Sequence, residues 1–137
     1  RSYAAQTHPY DGMIALLKDL RTRVGLSIVS SNTPQNIHTF LKTQGIDFFD
    51  DIIGNRGIDG KAPALRKLCR KHGLKPSDVI YVADETRDIH AANKAGIRII
   101  PVAWGYDHHA LLRSRQTHGI ARDTDELMNL IQVYLDL

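Results

Sequence analysis

An apolar strand-like run, Val79 to Val82, leads into a carboxylate at Asp84, and a second carboxylate, Asp88, follows one turn later. Directly after it, Ile89-His90-Ala91-Ala92-Asn93-Lys94-Ala95-Gly96 reads as a small-residue helix closed by glycine. A carboxylate just past the C-terminal end of a parallel strand sits where open α/β sheets bind ligands. Two carboxylates flanking one turn can hold a hard cation such as Mg²⁺ through oxygen. The same residues admit a purely local reading, with Asp84 capping the helix and Asp88 a solvated first-turn acid favoured by the helix dipole.

The rest of the chain alternates in the same way. Met13, Ile14, Leu16, Leu17 and Leu20 have the spacing of an amphipathic helix, and Leu26 to Val29 reads as a strand. A second helix starts near Pro34 and buries Ile37, Phe40 and Leu41. Phe48 to Ile53 is a short apolar segment around two acids, and 62–72 forms a helix ended by Gly73. Arg98 to Val102 is another strand, and Leu127, Leu130, Ile131, Tyr134 and Leu135 mark a final helix. Strands alternating with helices predict an α/β fold, a three-layer, Rossmann-like parallel sheet with helices on both faces. No linker or repeat divides the chain, so residues 1–137 are expected to form one domain.

Composition narrows the function. The net charge of +3 is mild. Its one local cluster, Arg66, Lys67, Arg70 and Lys71, lies on a helix with no interleaved aromatics, which argues against nucleic acid. Cys69 is the only cysteine, so no intrachain disulfide is available; it falls on the apolar helix face as a small buried hydrophobe. No apolar run approaches a membrane span and no signal peptide is visible, which makes the cytoplasm the expected compartment. His108-His109 is expected to be a surface loop and Trp104 a packing residue.

Three polar features recur in a fixed order. Ser30-Ser31-Asn32 follows a strand, where a hydroxyl and the next N–H groups can bind a phosphoryl oxygen. Lys61 stands just before a helix, where it can neutralise phosphate charge beside the helix N-terminus. The Asp84/Asp88 pair comes third.

In that order the residues resemble the haloacid dehalogenase superfamily, in its phosphoglycolate-phosphatase-like branch. Ser30 is similar to the family's second motif. Lys61-Ala62-Pro63 resembles its third, and Val82-Ala83-Asp84-Glu85-Thr86-Arg87-Asp88 its fourth, with Ala83 in place of the customary glycine. Ala91 to Ile97 and Val102 to Tyr106 resemble the segments that follow. The family's first motif, Asp-x-Asp-x-Thr, is absent: Asp11-Gly12 is preceded by Pro9, and residues 1–10 contain no acid. Pro9-Tyr10-Asp11-Gly12 instead resembles re-entry into the core after a cap domain, so 1–10 reads as a cap-to-core remnant.

The resemblance implies a phosphatase acting on a small phosphorylated metabolite through an aspartyl-phosphate. Ser30, Ser31, Asn32 and Lys61 would hold phosphate, Asp84 would ligate Mg²⁺, and Asp88 would support Lys61 or a metal-bound water. It also implies that the missing strand belongs between Leu26–Val29 and Val79–Val82. Two sheet edges are then left to pair with each other or with a partner chain or segment, and the chain alone is expected to be inactive. The alternative is a non-catalytic interaction module. A phospho-acceptor receiver domain is disfavoured, because its acidic pair precedes the Ser/Thr and Lys rather than following them.

Overall fold

The computed structural model describes residues 12–57, 59–83, 86–102 and 119–137. The segment 1–10, Asp84, Trp104 and His108-His109 lie outside them. The described chain runs α1 (Met13–Leu20), β1 (Ser27–Val29), α2 (Pro34–Thr43), β2 (Asp51–Ile53), α3 (Lys61–Lys71), β3 (Ile80–Ala83), α4 (Thr86–Ala95), β4 (Arg98–Pro101) and α5 (Thr124–Leu135). A 3₁₀ turn at Pro76–Asp78 leads into β3.

Local chemistry sets the ends of these helices. The Thr33 hydroxyl accepts from Asn36 N at the start of α2, with Pro34 at the first helical position. Asp123 caps α5 in the same way through Glu126 N. Helices α3 and α4 both stop in Schellman turns. Leu74 N donates to Cys69 O and Ile97 N to Ala92 O, across Gly73 and Gly96 at φ 64° and 75°. A side chain at either glycine would strain that left-handed backbone.

Among the described residues every strand pairing is parallel: β1 with β2 from Ser27↔Asp51 to Val29↔Ile53, and β3 with β4 from Ile80↔Arg98 to Ala83↔Pro101. Among the described residues these are two separate two-stranded sheets, and β1 and β3 do not pair with each other. Helices cover both faces. Val29, Tyr81, Ala83 and Ile99 pack with α3 and α4 on one face. Ile100 and Val102 pack with α1 and α5 on the other, where Ile28 meets Ile37 and Leu41 of α2. Among the described residues, no helix is long and apolar enough to cross a membrane.

One buried carboxylate ties α3 to the sheet. Asp51 on β2 accepts from Ser27 Oγ at 2.9 Å, meets His72 Nε2 at 2.6 Å and is hydrogen-bonded by Lys71 Nζ. The C-terminal end of α3 is thereby fixed at the N-terminal end of β2. Burial pushes the Asp51 carboxyl up, but the bonds from Lys71, His72 and Ser27 outweigh it and hold its pKa below the usual value. A depressed folded pKa stabilises above the unfolded value of about 3.9 and loses that stabilisation as pH falls through the folded one. Asp51→Asn is therefore expected to cost about 1–2 kcal/mol near neutrality. The difference from wild type should shrink below about pH 4, as read from urea midpoints across pH.

Candidate functional site

The first turn of α3 and the first turn of α4 bring Lys61 and Asp88 together. Lys61 is the first helical residue after Gly60, so the structure places it in the helix rather than in the loop before it. Its Nζ stands 2.6 Å from Asp88 Oδ1, and the two side chains are 1% and 0% exposed. Asp88 is therefore not a solvated first-turn acid. A buried carboxylate is tolerable only when a cation and further donors satisfy it.

Tyr81 supplies a second contact. Its hydroxyl lies 3.4 Å from Asp88 Oδ1 and 3.5 Å from the Val29 carbonyl, both long contacts. It links the end of β3 to the end of β1, where Ser30 begins the loop. Sequence reasoning passed over Tyr81; the one available hint was a hydroxyl inside the otherwise apolar run Val79 to Ala83.

Ser30 is fully buried, and Ser31 beside it is exposed. The Ser30 hydroxyl accepts from Asn32 N at 3.1 Å, so that side chain's remaining donor is its own proton. Asn32 is occupied with the turn itself: its Oδ1 accepts from Thr33 N and Asn36 Nδ2. Its carbonyl accepts from Asn55 N at 2.8 Å, and the Ser30 carbonyl accepts from Arg56 N at 3.0 Å. The two loops meet so closely that a Cβ on Gly54 would sit 2.6 Å from Asn32 O. Glycine is required there by contact, and the contact holds the Ser30 loop in place.

The site thus has a hydroxyl, a buried ammonium and a buried carboxylate at the C-terminal ends of β1 and β3. Such an arrangement can accept an anion and hold it by charge and hydrogen bonds. Among the described residues, no group of three or more His, Cys, Asp or Glu side chains is placed to hold a metal ion. The Asp88 carboxylate is already engaged, and the expected ligand Asp84 lies outside the described residues. The described side chains do not make a metal site by themselves.

The basic cluster on α3 is partly used internally. Arg66 donates to the Lys94 carbonyl at 2.8 Å, and Lys71 is bonded to Asp51. Cys69 is buried, and burial pushes its thiol pKa up, as befits an apolar packing residue.

Removing one member of a buried pair strands the other. Lys61→Met should destabilise the protein by about 3–5 kcal/mol, and Lys61→Met combined with Asp88→Leu should recover most of that loss. Equilibrium urea unfolding of both variants checks this; additive losses would mean the pair is not energetically coupled.

The sequence profile of the haloacid dehalogenase-like hydrolases matches residues 1–102. The phosphoglycolate phosphatase of Synechococcus elongatus is 40% identical over 100 residues, covering 72% of this chain and 47% of the relative. That of Vibrio vulnificus is 27% identical over 132 residues, covering 93% of this chain and 58% of the relative. The chain thus spans about half the length of these curated relatives. A haloacid dehalogenase-like family hydrolase from Streptococcus pneumoniae superposes with a TM-score of 0.78 at 26% identity, over 90% of this chain and 60% of that one. A structure described as a predicted phosphoglycolate phosphatase from Haemophilus somnus gives 0.79 at 23%, over 91% and 58%, a likeness of fold. The α/β, Rossmann-like architecture expected from the alternation of strands and helices is the one found.

Proposed function

The chain belongs to the haloacid dehalogenase-like hydrolases, and from that premise we propose that it carries the phosphate-holding part of a cytoplasmic, Mg²⁺-dependent phosphomonoesterase. The substrate class is a small phosphorylated metabolite, as the names of its relatives suggest. The observation that carries the reading is the fully buried Lys61–Asp88 pair, set at the same strand ends as the buried Ser30.

Each residue has a task. Ser30 donates its hydroxyl proton to a phosphoryl oxygen, and Ser31 flanks it. An ammonium has three N–H donors; Lys61 spends one on Asp88 and presents positive charge to the phosphoryl group with the others. Asp88 fixes the lysine rotamer in a dry site, and Tyr81 steadies Asp88. Asn32 shapes the turn that presents Ser30. Asp84, with oxygen donors from outside the described residues, would hold Mg²⁺, which supplies Lewis-acid stabilisation of phosphoryl charge when bound.

In this reading the nucleophile is an aspartate on a segment outside the 137 residues. Its carboxylate attacks phosphorus, the ester P–O bond breaks, and the leaving alkoxide takes a proton from the second aspartate of Asp-x-Asp-x-Thr. Water then hydrolyses the acyl phosphate and regenerates the carboxylate. A second reading is a non-catalytic interaction module, which needs no nucleophile.

A phosphate-release assay separates the two. The chain alone is expected to stay at background, and addition of a segment bearing Asp-x-Asp-x-Thr should give Mg²⁺-dependent turnover. In the completed protein, Ser30→Ala should lower kcat about 10²-fold, the loss typical of one donor to a transition-state oxygen. Asp84→Asn should lower it at least as much. Robust turnover by the chain alone would refute this assignment of the nucleophile, and no turnover after completion would favour the interaction module.

A further inference from the structure

The loop after β2 brings a second cation to the phosphate-holding residues. Ser30 N donates to Ile53 O at 2.9 Å, which carries the β1–β2 ladder one step beyond Val29. A regular parallel ladder would next bond Asn55 N to Ser30 O. Instead Asn55 takes the left-handed conformation, at φ 57°, and its N–H donates to Asn32 O. Arg56 N then donates to Ser30 O at 3.0 Å. One extra residue thus enters the ladder on the β2 side, as in a bulge, and re-aims the side chain that follows it.

The Arg56 stem lies against the start of α3. Glycine at position 60 makes room for it, since a Cβ there would come within 3.3 Å of Arg56 Cδ. Gly60 immediately precedes Lys61. Arg56 is therefore tied by its backbone to Ser30 and by its side-chain stem to the residue next to Lys61.

Its charge is unspent. Among the described residues, no hydrogen bond, ion pair or ring contact engages the Arg56 guanidinium. Asp59, three positions on, is exposed and does not pair with it. Lys61, Arg66 and Lys71 of α3, by contrast, are committed to Asp88, the Lys94 carbonyl and Asp51. A half-buried guanidinium with no anion of its own is poised to take one from a ligand.

Depth separates its task from theirs. Ser30 is 0% and Lys61 1% exposed, whereas Arg56 is half-buried. A phosphoryl group held by the two buried donors leaves Arg56 nearer the solvent. There it lies alongside the alcohol portion of a phosphate ester rather than the phosphorus.

We propose that Arg56 is a specificity residue. It recognises an oxyanion, a carboxylate or a second phosphate, carried on the alcohol portion of the substrate close to the phosphoryl group. The proposal rests on the reading of Ser30 and Lys61 as phosphate-holding residues. A guanidinium offers paired N–H donors in the plane such a group presents, and it stays charged at neutral pH. A phosphate ester of an uncharged alcohol gives it nothing to bind.

The test titrates the full ¹⁵N-labelled chain with ethyl phosphate, phosphoglycolate and ethylene glycol bisphosphate, followed by ¹H–¹⁵N shifts, so binding is scored apart from turnover. The amides of Ser30 and Lys61 report the phosphoryl group, and those of 55–57 report the second anion. Wild type should bind at least one of the two ligands with a second anion about tenfold more tightly than ethyl phosphate. The tighter of the two identifies the oxyanion. Arg56→Gln should abolish the preference and bring the three affinities within about twofold of one another. Arg56→Lys should recover only part of it, because an ammonium lacks the planar fork. Ser30→Ala should weaken all three ligands alike. No preference in wild type, or a preference that survives in Arg56→Gln, would overturn the proposal and leave the phosphatase reading standing. If no ligand shifts the Ser30 and Lys61 amides, the phosphate-holding reading fails and the proposal fails with it.

Discussion

The architecture of the site depends on one buried ion pair. Lys61 and Asp88 lie 27 positions apart, each in the first turn of its helix, and neither is accessible to water. Desolvating either alone costs several kcal/mol, so each is tolerable only with the other in place. The pair therefore specifies how α3 and α4 sit against each other and which strand ends they share. The Arg66 bond to the Lys94 carbonyl joins the same two helices farther along both.

The two halves of the sheet are joined by side chains rather than by backbone. Val29 of β1 shares a core cluster with Tyr81 and Ala83 of β3, while Leu26 reaches the opposite cluster with Val82, α1 and α5. Apolar packing is non-directional, so among the described residues it holds the halves together without a backbone ladder between β1 and β3. The Asp51 cluster works at the other end, fixing α3 to β2 while its first turn carries Lys61. The same helix is thus anchored at both ends.

Much of this was legible in the sequence. The helix periodicities, the proline that opens α2 and the glycines that end α3 and α4 are local rules, and the elements form where those rules put them. Phe48 and Phe49 were harder to place: strand β2 covers only Asp51–Ile53, and the two aromatics stack on each other and pack at the side of the core. The fixed order of Ser30, Lys61 and the Asp84/Asp88 pair suggested phosphate- and metal-holding residues, because each follows a strand or opens a helix.

What the sequence alone determined is the alternation of elements, their ends and the chemical types present at the turns, because these follow from interactions within a few residues. Only the tertiary structure decided that Asp88 is a buried partner of Lys61 rather than a solvated acid. Likewise, it alone brought Tyr81 between them and Val29, and made Asp51 a pin for α3. Desolvation is the physical reason. Whether a carboxylate is solvated, paired or bridging depends on which distant segments exclude water from it, and residue spacing along the chain does not encode that exclusion.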